Sequence, residues 1–153
     1  MNLLHRLLCR SALWRWTVEH CVVPWALDGL DPGEDVLELG PGPGLTTDVL
    51  RERAARLTAV EIDPRLASSL QERMKNTNVE VVEAGATAMP FPDGSFSAVL
   101  SFTMVRHVPS ATFQDRLLAE TWRVLRPAQS LTFANSIVTY IQYEYYFGTQ
   151  HET

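Results

Sequence analysis

Residues 35–50 read DVLELGPGPGLTTDVL, and this stretch decides the architecture. Asp35 to Leu39 is a short run of the buried-strand type, and a helix is expected from about Thr46 to Ala55. Between them stand Gly40, Gly42 and Gly44, separated by Pro41 and Pro43. A turn this tight needs residues without side chains, because its backbone takes conformations closed to others. The helix that follows presents unpaired N–H groups, so a ligand brought against the turn meets backbone. The spacing is G-x-G-x-G. A pyrophosphate-binding turn prefers G-x-G-x-x-G, and its third glycine would fall on Leu45. The two prolines also remove donors that a phosphate would use. The turn is therefore read as a seat for a nucleoside-like ligand without phosphates.

Working outward, strand-like and helix-like segments alternate. Leu57 to Ile62 reads as a second strand, and Asp63-Pro64 as the cap and first turn of a helix broken near Asn76 to Asn78. Val79 to Glu83 alternates as a third strand, Ser97 to Phe102 is a fourth, and Leu131 to Ala134 a fifth. A helix over Ala111 to Leu125 places Leu118, Trp122 and Leu125 on one apolar face. The pattern implies an α/β fold: a Rossmann-like, doubly wound, mostly parallel sheet of about five strands with helices on both faces.

Upstream, residues 3–23 carry Leu4, Leu7, Leu8, Trp14, Val18, Cys21, Val22 and Trp25 at helical spacing, with Pro24 expected to end or kink the helix. The tail has a different composition. All four tyrosines lie between Tyr140 and Tyr146, and no Lys or Arg follows Arg126. The expected division is a helical extension over 1–30, a ligand-binding domain over 31–134 and an atypical tail over 135–153.

The chain of 153 residues has a net charge of −5 and no block of like charge, from which no nucleic-acid partner is expected. Cys9 and Cys21 read as buried free thiols of a reducing cytoplasm. No run approaches the ~20 apolar residues of a membrane span, so the expected location is cytoplasmic. The four histidines and two cysteines form no metal-ligand cluster, and no metal is expected.

Glu61 supplies the second half of the site. It ends the second strand, 21 residues beyond Gly40, where a carboxylate can accept from both hydroxyls of a ribose.

The segments VLELGPGPGLTTDVL, LTAVEIDPRL, AMPFPDGSFSAVLSF and LLAETWRVLRP together resemble the class I S-adenosylmethionine-dependent methyltransferases, in particular the type 11 branch. The likeness covers roughly residues 10–127. It implies that Glu38, Gly40 and Gly42 meet the methionine end of S-adenosyl-L-methionine, while Gly44 permits close packing of the loop. Glu61 would hold the ribose and Ile62 would lie against the adenine. Ala86 and Thr87 would pass the adenine edge, and Ser101 and Phe102 would line the reactive side.

The chain departs from the family pattern at four places. Gly85 stands where an aspartate usually receives the adenine amino group, with Glu83 as a nearby substitute. Ser97 replaces an aspartate. Val105-Arg106-His107 keeps one histidine of a usual pair, so His107 is a candidate proton acceptor beside the substrate. Ala128 and Gln129 replace two glycines, where a positive-φ turn would be strained. The family's last two strands are expected to be missing, which leaves the fifth strand an edge open to pairing with a second copy. The expected function is methyl transfer to a small-molecule acceptor; the alternative is a truncated, noncatalytic remnant that binds cofactor weakly or docks to a partner.

Overall fold

A computed structural model describes residues 12–27, 31–102, 104 and 108–134. Helix α1 (Ala12–Thr17) runs through a π-helical turn (Val18–Val22) into α2 (Val23–Ala26). Then follow β1 (Asp35–Leu39), α3 (Leu45–Leu50), β2 (Arg56–Glu61), α4 (Pro64–Arg73), β3 (Val79–Glu83), β4 (Phe96–Phe102), α5 (Ala111–Val124) and β5 (Leu125–Ala134). The five strands form one parallel sheet in the order β3-β2-β1-β4-β5. The sheet is open and its α/β order is that of a doubly wound fold, as the alternation implied.

The sheet's two faces follow from the strand period of two. Val36, Leu57, Ala98, Leu100 and Phe102 pack with Leu50 of α3 and with Val18, Val23, Ala26 and Leu27 of the N-terminal segment. Leu37, Leu39, Val60 and Val99 form the opposite cluster with Met89, Phe96, Val124 and Leu125. Each cluster is a continuous apolar layer, and its removal from water is the main force holding helices to sheet.

The helix beyond β2 is capped as its sequence implied. Asp63 accepts the N–H groups of Arg65 at 2.9 Å and Leu66 at 3.4 Å, and Pro64 takes the first position. The N-terminal segment differs from expectation. Pro24 lacks an N–H and its ring would strike the carbonyl one turn back, and the chain answers with the π turn rather than a break. That wider turn shifts the helical phase by about one residue. Val22, Val23 and Ala26 therefore turn inward, while Cys21 and Trp25 lie exposed, so the expectation of a buried thiol fails at Cys21. Cys9 lies outside the described residues.

Helix α5 also presents another face. Leu117, Thr121 and Val124 are buried at i, i+4 and i+7, whereas Trp122 is 58% exposed. The helix ends at Val124, so Leu125, buried, belongs to β5 and no longer marks the helical stripe.

The strand after Arg126-Pro127 resolves the missing glycines. Phe96 pairs with Leu125 and Ala98 with Ser130, so residues 126–129 bulge opposite Ser97 alone. Asn76 is the positive-φ residue other than glycine among the described residues, and Ala128 and Gln129 carry no such strain. The bulge absorbs the change of direction that glycines would otherwise permit. Among the described residues, no helix is long and apolar enough to cross a membrane. The expected tail over 135–153 lies outside them.

Candidate functional site

The strand order reverses between β1 and β4, and in open α/β sheets ligands bind beyond the carboxyl ends of the strands at that crevice. The glycine loop leaves β1 there. Gly40, Gly42 and Gly44 have φ of +66°, +56° and +79°, all in the left-handed region. The loop is tied in at each glycine: Gly40 N–H donates to Val60 O at 2.9 Å, Gly42 N–H to Glu61 Oε2 at 3.0 Å and Gly44 N–H to Pro41 O at 2.9 Å.

The three glycines serve different purposes. A Cβ on Gly40 would overlap Met104, and one on Gly44 would overlap Leu70 and the Arg73 guanidinium. A Cβ on Gly42 would meet no atom within 4 Å. Gly40 and Gly44 are thus filled from within, and Gly42 faces open space.

Two carboxylates stand at neighbouring strand ends. Glu38 is 1% exposed and accepts from the hydroxyls of Thr46 and Thr47, the latter at 2.6 Å. Burial pushes its pKa up to about 7; the two threonine donors oppose that rise, and the charges of Asp48 and Glu61 add to it. Glu61, 6% exposed, accepts Gly42 N–H through Oε2 and Asp63 N–H through Oε1, both at 3.0 Å. A carboxylate offers about four acceptor positions, so Glu61 keeps two for other donors. Thr46 and Thr47 went unassigned in the sequence reading, although they sit eight and nine residues from Glu38 just past the last glycine.

The other sequence-assigned residues surround these. Ile62 is 74% exposed, an isolated apolar side chain beside Glu61. A Cβ on Gly85 would lie 3.6 Å from Ile62 Cδ1, an ordinary contact, which brings the loop after β3 against that side chain. Ala86 and Thr87 follow in the same loop, half-buried. Glu83, the substitute considered for an aspartate at 85, is exposed at the end of β3.

Ser101 and Phe102 part company. Phe102 is buried in the cluster beneath α3, and alternation turns Ser101 to the opposite face. The Ser101 Oγ is buried with no hydrogen-bond partner among the described residues. His107 lies outside the described residues. Ser97, in place of the usual aspartate, pins the start of β1. Its Oγ lies 3.0 Å from Asp35 N, whose N–H it accepts, and 2.8 Å from Pro32 O, to which it donates.

A cleft of about 410 Å³ opens at the other end of the sheet, lined by Asp35, Arg56, Asn78, Val79 and Phe96 among others. These residues begin their strands, so the cleft lies away from the crevice where ligands of this fold bind. Its charges serve the frame: Arg56 and Arg126 bond to Asp35 and hold that carboxyl down at about 2.

The residues fit a phosphate-free nucleoside with an amino-acid end. Open space at Gly42, an acceptor pair on Glu61 and an exposed Ile62 stand at the carboxyl ends of β1 and β2, and Ser101, beside Leu39 in register, carries a hydroxyl with no partner among the described residues.

Known proteins agree. An rRNA adenine N-6-methyltransferase of Saccharopolyspora erythraea is 52% identical over 66 residues, 42% of this chain and 17% of that protein. A demethylmenaquinone methyltransferase of Tropheryma whipplei is 31% identical over 103 residues, 67% of this chain and 42% of that protein. The chain thus spans less than half the length of these curated relatives. In fold it is similar to the PH0226 protein of Pyrococcus horikoshii, with a TM-score of 0.76 and 21% identity over 87% of this chain and 65% of that one.

Names of ribosomal RNA small subunit methyltransferases recur among the relatives, which overturns the expectation that nucleic acid is excluded as a partner. Net charge failed as a guide because it sums over the whole surface, whereas nucleic acid is met by a local patch or by another part of a longer protein. The family described as methyltransferase domain matches residues 37–133. That span runs from β1 through the glycine loop, Glu61 and Ser101 to the penultimate residue of β5, and the chain belongs to this family, whose cofactor is S-adenosyl-L-methionine.

Proposed function

We propose that the chain forms the cofactor-binding part of a methyltransferase acting on a small-molecule acceptor by in-line displacement. The observation that carries the reading is the glycine loop, where Gly42, the one of its three glycines open to space, donates its N–H to the carboxylate of Glu61. When bound, S-adenosyl-L-methionine supplies an electrophilic methyl group on a sulfonium.

Glu61 would accept from the ribose hydroxyls with the two positions its backbone donors leave free. Ile62 would cover one face of the adenine, and Gly85, Ala86 and Thr87 would run along its edge. Glu38, fixed by two threonine hydroxyls, would balance the amino group of the methionine end, assisted by Gly40 and Gly42. The Ser101 hydroxyl would gain the partner it lacks by donating toward the reactive side. These groups align and exclude water, which is the larger part of catalysis when the leaving group is neutral.

The small-molecule acceptor is supported by the Tropheryma whipplei relative, which aligns over 67% of this chain. Calorimetry with S-adenosylhomocysteine and with NAD tests the cofactor half: micromolar binding of the first alone is expected, and equal or preferred binding of NAD refutes it. Incubation with a radiolabelled methyl donor and a bacterial extract tests the acceptor half. Label is expected in the fraction below about 1 kDa; label in ribosomal RNA refutes it.

A further inference from the structure

The loop is gripped from outside by one cation that no sequence pattern singled out. Arg73 stands in the last turn of α4, 29 residues beyond Gly44. Its Nη1 donates to both oxygens of Asp48, at 2.6 and 2.7 Å, and its Nη2 donates to Pro43 O at 2.9 Å and Gly44 O at 3.0 Å. The guanidinium therefore spans the end of the glycine loop and the first turn of the helix that follows it.

The geometry points to Arg73 as a positioning residue for the cofactor, holding the loop in its binding shape without touching the ligand; this rests on the function proposed above. The two carbonyls lie at the bend where the loop enters α3, and Gly44 O also accepts the helix's own bond from Asp48 N–H at 3.1 Å. Pro41 and Pro43 offer no N–H, so the loop's tie to itself is the turn bond from Gly44 N–H to Pro41 O, and further fixing must come from outside. A planar fork with fixed donor directions suits the task, since one edge meets a carboxylate and the other meets two carbonyls. Gly44 is part of the device. A side chain there would occupy the place of Arg73 Nη2, so the third glycine admits the clamp as well as the left-handed turn.

The test uses the whole chain, calorimetry with S-adenosylhomocysteine and thermal denaturation. Arg73→Ala is expected to weaken binding about tenfold, through a loop that must be ordered on binding, while the protein still unfolds cooperatively. Arg73→Lys keeps the charge but not the fork and should recover only a minor share. Asp48→Asn loosens the other edge of the fork and should weaken binding about threefold in the wild-type background, and hardly at all in Arg73→Ala. Unchanged affinity in Arg73→Ala, full recovery in Arg73→Lys, or additive effects of the pair would each overturn the inference. A wild-type chain that does not bind S-adenosylhomocysteine refutes the functional reading itself. If Arg73→Ala does not fold, Asp48→Asn and Arg73→Lys still decide.

Discussion

Gly42 and Gly94 form a matched pair for testing where the ligand lies. Both have positive φ, +56° and +63°, and at both a Cβ would meet no atom within 4 Å. Gly42 sits in the glycine loop and Gly94 in the loop before β4, and both N–H groups are engaged, with Glu61 Oε2 at 3.0 Å and Arg123 O at 2.9 Å. Alanine at either position meets no steric clash, so its cost to the free protein is the backbone term alone, about 1 kcal/mol. For a chain of this size that lowers Tm by roughly 3 °C. The two variants should therefore be equally destabilised. Their ligand binding should differ. A methyl group at Gly42 intrudes on the space assigned to the cofactor, and overpacking of about 1–3 kcal/mol corresponds to a loss of roughly ten- to hundredfold in affinity. Calorimetry with S-adenosylhomocysteine beside thermal denaturation separates the two effects. If Gly42→Ala binds within a factor of two of wild type, or Gly94→Ala loses as much, the open space at Gly42 is not the ligand's.

Further predictions concern the carboxylates and the departures from the family pattern. Glu61→Ala should weaken S-adenosylhomocysteine binding by one to two orders of magnitude, about 1.4–3 kcal/mol, since bonds to the ribose are lost; for a 2′,3′-dideoxy ligand the loss should be much smaller, keeping only the share due to releasing Gly42 N–H. Glu38 has a folded-state pKa of about 7 against an ordinary 4.5, so the native state binds more protons between those values and stability falls as pH rises through that window. Glu38→Gln should flatten that slope and be the more stable protein at pH 8 by up to about 3 kcal/mol, measured by urea denaturation at several pH values. A wild-type slope that survives in the variant would show that another group is responsible. Gly85→Asp should strengthen binding by two- to tenfold, because its φ is not in the left-handed region and a side chain there stands beside Ile62. Ser97→Ala should cost about 1–2 kcal/mol in stability with affinity unchanged, as it leaves Asp35 N–H and Pro32 O without the partner they now share.

The fold was legible because its information is local. Asp35 to Leu39 and Ser97 to Phe102 carry apolar residues on both faces, as a central parallel strand requires, and Asp63-Pro64 announces a helix start within two residues. Legibility failed where phase or distance mattered. The π turn before Pro24 rotates the N-terminal stripe, and counting at 3.6 residues per turn carries straight past it. In α5, Trp122 and Leu118 looked like the core because they are large, yet the helix buries Leu117, Thr121 and Val124. Thr121 escaped notice as a polar residue, although its hydroxyl is satisfied by Leu117 O at 2.8 Å and so costs little to bury. In the site, Gly40, Gly42 and Glu61 were read from spacing alone. Arg73 was not, since its partners lie 25 to 30 residues away and only the packing of α4 beside the loop joins them.

The two carboxylates show how one motif divides its work. Glu38, next to last in β1, and Glu61, last in β2, stand at the ends of adjacent strands, with Leu39 beside Val60 in register, yet their surroundings set them apart. Glu38 is enclosed and answered by neutral hydroxyls, so its charge is poorly compensated and its proton is held until about pH 7. Glu61 is answered by two backbone N–H groups, from Gly42 and Asp63, and keeps acceptor positions free beside them. A ribose asks for an acceptor already fixed in place, and the two backbone bonds give Glu61 that fixed orientation. An ammonium group supplies the positive charge that Glu38 lacks, so a ligand bearing one should lower the pKa of Glu38 on binding and release a proton near neutral pH. Calorimetry of S-adenosylhomocysteine in buffers of different ionisation enthalpy measures that proton directly. Its release at pH 6.5, absent in Glu38→Gln, is the expected outcome; buffer-independent heats in the wild type would place the ammonium end elsewhere.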